Sequence, residues 1–272
     1  HQLTIATMHG KEQVIGPSIS RHTGMDWILP DQLNTDTFGT FSGEQARQGS
    51  PIDAARAKCK AAHRLTRTRF TVASEGSFGP HPAAGFMAAN EEFLVFHDHE
   101  HAAEIVVRDV FLETNFDGTV IESLSELLAF AERVGFPAHA IILKRSKDDF
   151  SVMVKGITDQ DTLVKAYQKM STKGSVFAET DMRAHLNPKR MKNIEKLAER
   201  LGERLSAFCS ACGSPGFGIT GVERGLACAQ CGSPTRSVKY TIHSCAYCDH
   251  QQKELRTDKK HEDPMYCDLC NP

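Results

Sequence analysis

No stretch of this 272-residue chain approaches the roughly 18 to 20 consecutive apolar residues that a membrane-crossing helix needs, which excludes such a span. Charge of one sign is not in excess either. Thirty-two Lys and Arg against 34 Asp and Glu leave a formal −2, so the whole chain makes no case for binding nucleic acid or a membrane surface. There is no low-complexity segment. No hydrophobic leader precedes the first apolar strand, which sets aside the disulfide framework of a small secreted domain and leads us to expect a cytoplasmic protein with reduced thiols. Cysteine is nearly missing from the first 208 residues, where Cys59 stands alone and reads as a small buried apolar group.

The other eight cysteines fall in the last 64 residues as four Cys-x-x-Cys pairs: Cys209/Cys212, Cys228/Cys231, Cys245/Cys248 and Cys267/Cys270. Two residues between paired thiolates let one tight turn aim both sulfurs at a single tetrahedral ion. Two such turns close a four-sulfur shell and leave no open position for catalysis, so two structural Zn2+ sites are expected. Sequential pairing encloses loops of 15 and 18 residues, whereas crossed pairing encloses 32 and 35. Shorter loops lose less entropy on closure, which favours sequential pairing. From Ala207 to Pro272 there are seven Lys/Arg and seven Asp/Glu. Eight thiolates on two zinc ions add −8 + 4 = −4, and a mildly acidic metal-loaded tail argues against nonspecific phosphate binding.

Residues 1–206 read as an α/β domain, a mixed sheet flanked by helices, and 207–272 as a small zinc-ribbon domain with two four-cysteine sites. Strands are expected at Leu3–Met8, Asp26–Leu29, Phe70–Ala73, Ala138–Leu143, Ser151–Val154 and Ser175–Ala178, with a short helix disturbed by Pro17 after the first. Glu92–His97 and Ala103–Leu112 read as a hairpin. Ser50-Pro51-Ile52-Asp53 opens an alanine-rich helix with a cap, a first-turn proline and a capping box. Ser123 with Glu126 starts another helix that Gly135 ends, and Thr158 with Asp161 a third. Asn187-Pro188 opens the last one, whose Met191, Ile194, Ala198, Leu201 and Leu205 share a face. On that helix Lys192, Lys196, Arg200 and Arg204 form a basic stripe with Glu195, Glu199 and Glu203 interleaved, read as a solvated ion-paired face.

Four patches carry possible chemistry. Thr7-Met8-His9-Gly10-Lys11 is a polar turn after the first strand that can hold an anion through backbone N–H groups and an ammonium. Ser42 to Ser50 places Glu44 and Arg47 ahead of the alanine-rich helix. Ala73-Ser74-Glu75-Gly76-Ser77-Phe78-Gly79-Pro80-His81-Pro82 reads as a turn leaving a central strand, with Glu75 a candidate magnesium ligand or water-activating base. Arg183, His185 and Arg190 surround the start of the last helix, where the dipole favours anions. His97-Asp98-His99-Glu100-His101 is read as the exposed tip of the hairpin in preference to a strand presenting alternate histidines to a metal.

Taken in order, the strand with its Thr7–Lys11 turn, the Gly43-Glu44-x-x-Arg47-x-Gly49 run and the strand ending in Glu75-Gly76 resemble the N-terminal half of the inosine/xanthosine triphosphatase superfamily, Maf-like relatives included. The whole chain resembles an uncharacterised bacterial family that ends in such cysteine pairs. The first resemblance spans about 80 residues, and the first turn departs from that superfamily's asparagine-containing form. It implies hydrolysis of noncanonical or modified nucleoside triphosphates with Mg2+ or Mn2+. Thr7 and Lys11 then meet phosphate, Glu44 lies by the metal, Glu75 is the main acid, and Arg183 and His185 stand near the base.

The expectation is therefore a metal-dependent nucleotide pyrophosphohydrolase with Glu75, Glu44 and Lys11 catalytic and Thr7, His9, Arg47, Arg183, His185 and Arg190 binding substrate. The alternative is a non-catalytic zinc-ribbon protein that docks on nucleic acid or a protein partner, with Tyr240, His243, Tyr247 and His250 available to stack bases. Nucleic acid is the less favoured partner. A homodimer in which the tail of one chain covers the site of another is a third arrangement.

Overall fold

A computed structural model describes residues 2–31, 33, 49–172 and 174–272. The chain divides into two compact units, His1–Gly202 and Glu203–Pro272. Among the described residues no helix is long and apolar enough to cross a membrane.

The first unit is mixed α/β and holds two sheets. Strands β1 (Gln2–Ala6), β2 (Asp26–Ile28), β3 (Phe70–His81), β4 (Ala84–Asp98) and β5 (Ala103–Phe111) form the first, in the order β2-β1-β3-β4-β5. β1 runs parallel to both neighbours, and β3, β4 and β5 are antiparallel hairpins. Helix α1 (Glu12–Thr23) connects β1 to β2 and continues through Pro17, because Ile15 and Ile19 on its inner face are fully buried. Helix α2 (Pro51–Thr66) connects β2 to β3 and opens with the Ser50/Asp53 capping box. Its Ala55, Cys59 and Ala62 pack on Ala6, Ala73 and Val95, and small side chains on both sides let helix and sheet approach closely. Burial pushes the Cys59 thiol up to about 12, the behaviour of an inert core residue.

The second sheet is built from β6 (Gly118–Ile121), β7 (Ile141–Ser146), β8 (Asp149–Ile157) and β9 (Val176–Thr180), all antiparallel, in the order β6-β9-β7-β8. Helix α3 (Leu124–Val134) starts at Ser123, which accepts from the Glu126 N–H, and ends on left-handed Gly135. Helix α4 (Gln160–Ser171) is capped by Asp159 in place of Thr158. Leu127, Phe130 and Val134 of α3 and Leu163, Tyr167 and Met170 of α4 bury against Ile141, Leu143 and Val176. A 3-10 turn at Ala184–Leu186 leads into α5 (Pro188–Leu205), where the Asn187 side chain accepts from the Arg190 N–H at 3.1 Å.

The main correction concerns the run from Ser74 to His81, which is strand and not turn. Each residue from Phe70 to Pro80 has a partner on β4, Glu75 opposite Phe93 and Gly76 opposite Glu92. Gly76 is required for another reason. A Cβ there would lie 2.6 Å from the Arg190 guanidinium and 2.8 Å from the Glu92 carboxylate. The basic stripe on α5 also finds different partners from those three residues along its own helix. Lys196 pairs with Glu113 at 2.8 Å, Arg200 with Asp109 at 2.6 Å, and Glu199 with Arg21 and His22.

In the second unit, β10 (Gly218–Arg224), β11 (Val238–Ser244) and β12 (Gln251–Leu255) form an antiparallel sheet in chain order.

Candidate functional site

The four cysteine turns of the second unit gather in two groups, Cys209/Cys212/Cys245/Cys248 and Cys228/Cys231/Cys267/Cys270. The sequential pairing expected from loop length is thereby overturned: first pair joins third, and second joins fourth. Loop entropy distinguishes the alternatives by only about 0.6 kcal/mol per doubling of length, and the sheet overrides it. Antiparallel pairing sets Gly218 at the start of β10 opposite Ser244 at the end of β11. The turn before β10 therefore lies beside the turn after β11. At the other end, β10 leads to the second turn, and a bridge from Cys228 to Glu262 brings in the segment before the fourth.

Each shell has the dimensions of a zinc site. A Zn–S length of about 2.3 Å in a tetrahedron puts neighbouring sulfurs about 3.8 Å apart. The Sγ separations are 3.9 Å for Cys209–Cys248, 3.6 Å for Cys212–Cys245, 3.8 Å for Cys228–Cys270 and 3.6 Å for Cys231–Cys267. Gly213 and Gly232, one residue past the second sulfur of their turns, have φ near +72° and +74°, a conformation that disfavours any side chain. Their N–H groups donate to the carbonyls of Cys209 and Cys228. The sulfurs crowd one another: the neighbouring Cys231 sulfur and burial push the Cys270 thiol up to about 12. Full ionisation of such a shell needs a central cation, and both groups can hold Zn2+. His243 and His250, two of the four residues available for stacking, lie beside the Phe217 ring at centroid distances of 6.1 and 5.4 Å.

In the first unit, β1 is the place where the strand order reverses. The chain leaves β1 through α1 to one side and returns through α2 to the other, so the carboxyl ends of β1 and β3 flank the crevice where open α/β sheets take ligands. Pairing of β1 with β3 stops at Ala6 opposite Ala73. From Ser74 onward, that edge of β3 meets the Thr7–Lys11 turn, and the Lys11 Nζ donates to the Ser74 Oγ at 3.0 Å.

Alternation along β3 sends charge to this edge from both faces of the sheet. Ala73 and Glu75 point to the α2 face, where Lys58 pairs with the Glu75 carboxylate. Ser74 and Gly76 share the opposite face with Glu92, whose carboxylate accepts from Arg190 Nε at 2.7 Å and from the Asn90 amide at 2.9 Å. Arg190 also donates to the Met182 carbonyl at 2.5 Å and lies 5.0 Å over the Phe78 ring. The five charged groups are nearly inaccessible: Lys11 3%, Lys58 5%, Glu75 3%, Glu92 1% and Arg190 1% exposed. Among the described residues, the cluster holds three cations and two carboxylates. Burial, then the positive fields of Arg190 and Lys58, bring Lys11 down to about 7.

Of the expected site residues, Lys11, Glu75 and Arg190 meet here. His9, with φ +69°, stacks on His185 at 4.9 Å, so the first turn and the segment before α5 are in contact. The Thr7 hydroxyl donates to the Met8 carbonyl. Arg183 is held by both oxygens of Asp181, at 3.0 and 2.6 Å. Glu44 and Arg47 lie outside the described residues. Lys58 and Glu92 escaped sequence reasoning, although each left a trace. Lys58 falls four residues from both Ala54 and Ala62 on the buried face of α2, and Glu92 alternates with the core residues Leu94 and Phe96.

Of the two carboxylates expected by a catalytic Mg2+ or Mn2+, Glu44 lies outside the described residues and Glu75 is paired with Lys58. Glu75 and Glu92 point to opposite faces, and each carries a cationic partner. Among the described residues, no set of three ligand groups able to hold a metal includes either one.

No curated protein matches the chain. A family model described as Domain of unknown function (DUF6671) matches residues 58–272, which takes in Lys58, Glu75, Glu92, Arg190 and all eight paired cysteines and leaves Lys11 outside the match. The match covers well over half of the sequence, and the chain belongs to that family.

Proposed function

We propose that the first unit binds a nucleotide through its phosphates at the carboxyl ends of β1 and β3 and hydrolyses a phosphoanhydride bond there. The observation that carries this reading is the buried Lys11 at the edge of β3, beside the buried cations Lys58 and Arg190 at the carboxyl ends of β1 and β3. A buried ammonium close to two other cations is costly to fold, and an arriving polyanion offsets that cost. Fixed cations in a water-poor site also stabilise charge that develops on phosphoryl oxygens in a transition state. In this reading Lys11 receives the phosphate, Arg190 sets the field from the sheet face it shares with Ser74, and Glu75, paired with Lys58 on the α2 face, orients the attacking water. The two four-cysteine groups hold zinc and serve the fold of the second unit.

The test is hydrolysis of a panel of standard and modified nucleoside triphosphates by the full chain, with Lys11→Ala and Glu75→Gln as controls. The expected result is turnover by the wild type, loss of substrate affinity in Lys11→Ala and loss of rate in Glu75→Gln. A wild type inert on every nucleotide, or variants as active as wild type, sinks the hydrolase reading.

A further inference from the structure

A cavity of about 370 Å3 lies in the first unit between the tip of the β3–β4 hairpin and the second sheet. Three phenylalanines from separate stretches of chain line it: Phe86 near the start of β4, Phe116 ahead of β6 and Phe177 on β9. Phe86 is 91% exposed and Phe116 37%, so two rings that share one cavity leave much of their surface to solvent. Alternation along β9 sends Val176 and Ala178 into the core under α3 and α4, and turns Phe177 and Glu179 to the other face, where both reach the cavity. Gly118 stands opposite Glu179 on β6, and a Cβ there would lie 2.9 Å from the Phe177 ring.

The charges of the lining do not favour a simple ion as occupant. Asp117 is engaged at both oxygens, by its neighbour's N–H at 2.8 Å and by Arg133 Nε at 3.0 Å. Glu179 pairs with Lys144 at 3.0 Å through one oxygen and keeps lone pairs for a further donor. Lys147, exposed in the β7–β8 turn, adds a cation at the rim. Aromatic walls with one available acceptor suit a planar, neutral ring that carries an amino group.

The cavity also continues the face of β3 that carries the buried cations. Ser74, Gly76, Phe78 and Pro80 alternate onto that face. Ser74 holds Lys11, Gly76 meets the Arg190 guanidinium, Phe78 lies 5.0 Å from Arg190 and 5.6 Å from Phe116, and Pro80 lines the cavity. From Gly76 to Pro80 the strand rises about 13 Å. Burial falls along the same run, from buried Gly76 through half-buried Phe78 to exposed Pro80. A ligand lying along this face is charged at its inner end and planar at its outer one.

We propose that this cavity is a nucleobase-binding site, in which an amino-bearing base stacks on the exposed rings of Phe86 and Phe116 and donates to Glu179. The charged end of that ligand is the one proposed above, on which this assignment rests for everything beyond the base. Base–aromatic stacking is tolerant of sequence, and the Glu179 acceptor supplies the selectivity.

The experiment uses the full chain with Phe86→Trp, a substitution at a position exposed enough to accept it. Adenosine, guanosine and cytidine carry no phosphate, so their quenching of the new indole reads base binding alone. The wild type, whose single tryptophan is Trp27, corrects for light absorbed by the nucleosides. Saturable quenching is expected within about 5 mM nucleoside. Adding Phe116→Ala is expected to weaken it at least fivefold, and purine riboside, which lacks only the amino group of adenosine, to bind at least threefold more weakly. No saturable quenching by any nucleoside, or quenching that Phe116→Ala leaves unchanged, overturns the site. Equal binding of adenosine and purine riboside overturns the role of Glu179. Pyrophosphate titrated by calorimetry into wild type and Lys11→Ala tests the phosphate end separately. Nucleoside binding without pyrophosphate binding keeps the base site and removes the phosphate reading, and the converse result removes the base site alone.

Discussion

Replacing Lys11 with methionine asks whether the buried ammonium is there for a ligand or for the fold. Lys11 falls from its ordinary 10.5 to about 7, chiefly through burial. A depressed lysine is protonated in the unfolded chain and deprotonated in the folded one between those two values. Folding is therefore opposed in full below pH 7, and the opposition fades as the pH rises toward 10.5. At 1.36 kcal/mol per pKa unit the ceiling is about 5 kcal/mol. Against it stands the hydrogen bond to Ser74, whose stranded hydroxyl costs about 1 to 3 kcal/mol in the variant; the attraction of Glu75 and Glu92 is already contained in the value of about 7. The expected net is a Lys11→Met protein more stable than wild type by at most about 2 to 4 kcal/mol at pH 6, with the advantage gone or reversed by pH 10. Urea melts followed by the fluorescence of Trp27 give the answer, since this single tryptophan lies on β2 in contact range of Gly16 on α1. The companion measurement repeats the pH 7 melts with added pyrophosphate. Binding at the site stabilises the wild type according to ligand concentration and leaves the variant unmoved. A variant less stable by the same amount at every pH, or stabilised by pyrophosphate as much as wild type, refutes the argument and makes Lys11 a structural anchor.

Two further outcomes follow from the geometry. Crossed zinc pairing is separable from sequential pairing by paired substitutions. Cys209→Ser with Cys245→Ser damages one shell and leaves one tightly bound zinc by native mass spectrometry, whereas Cys209→Ser with Cys228→Ser damages both and leaves none; sequential pairing gives the opposite result. Gly76→Ala forces a methyl to within 2.6 Å of the buried Arg190 guanidinium and is expected to cost about 1 to 3 kcal/mol of stability in the same Trp27 melts. An unchanged midpoint there means that β3 and α5 do not approach as closely as described.

Most signals confined to a few neighbouring residues read true, although Asp159 caps α4 where Thr158 was expected and α1 runs through Pro17. The capping box at Ser50 and Asp53, the Asn187 cap, the β4–β5 hairpin and the left-handed glycine after α3 depend only on local backbone chemistry, and all stand as expected. The error at Glu75 has the same root. Gly76, Gly79 and Pro80 are turn residues by composition, but a partner strand from Ala84 onward pairs with that whole stretch. Nothing local tells a glycine that permits a turn from one that makes room for a guanidinium arriving from 114 positions further along the chain. The ion pairs of α5 show the same limit. Spacing puts glutamates next to Lys196 and Arg200 on one helix, while the tertiary fold pairs these cations with Glu113 and Asp109.

The cysteines show where spacing stops informing. Ligand identity was fully legible, because a two-residue gap between sulfurs has one productive geometry and because Gly213 and Gly232 sit where the turn demands a positive φ. Partnership was not legible, because loop closure separates the alternatives by an amount comparable to a single surface hydrogen bond. Three strands decide it. Once β11 runs antiparallel to β10, the turn before one must neighbour the turn after the other, and joining the first cysteine pair to the second would place a zinc shell across the length of β10. Seven residues of strand rise about 23 Å, several times the span of a tetrahedral sulfur shell. The sheet and the crossed pairing therefore require each other, and a variant that breaks the β10–β11 ladder is expected to lose both metal shells together.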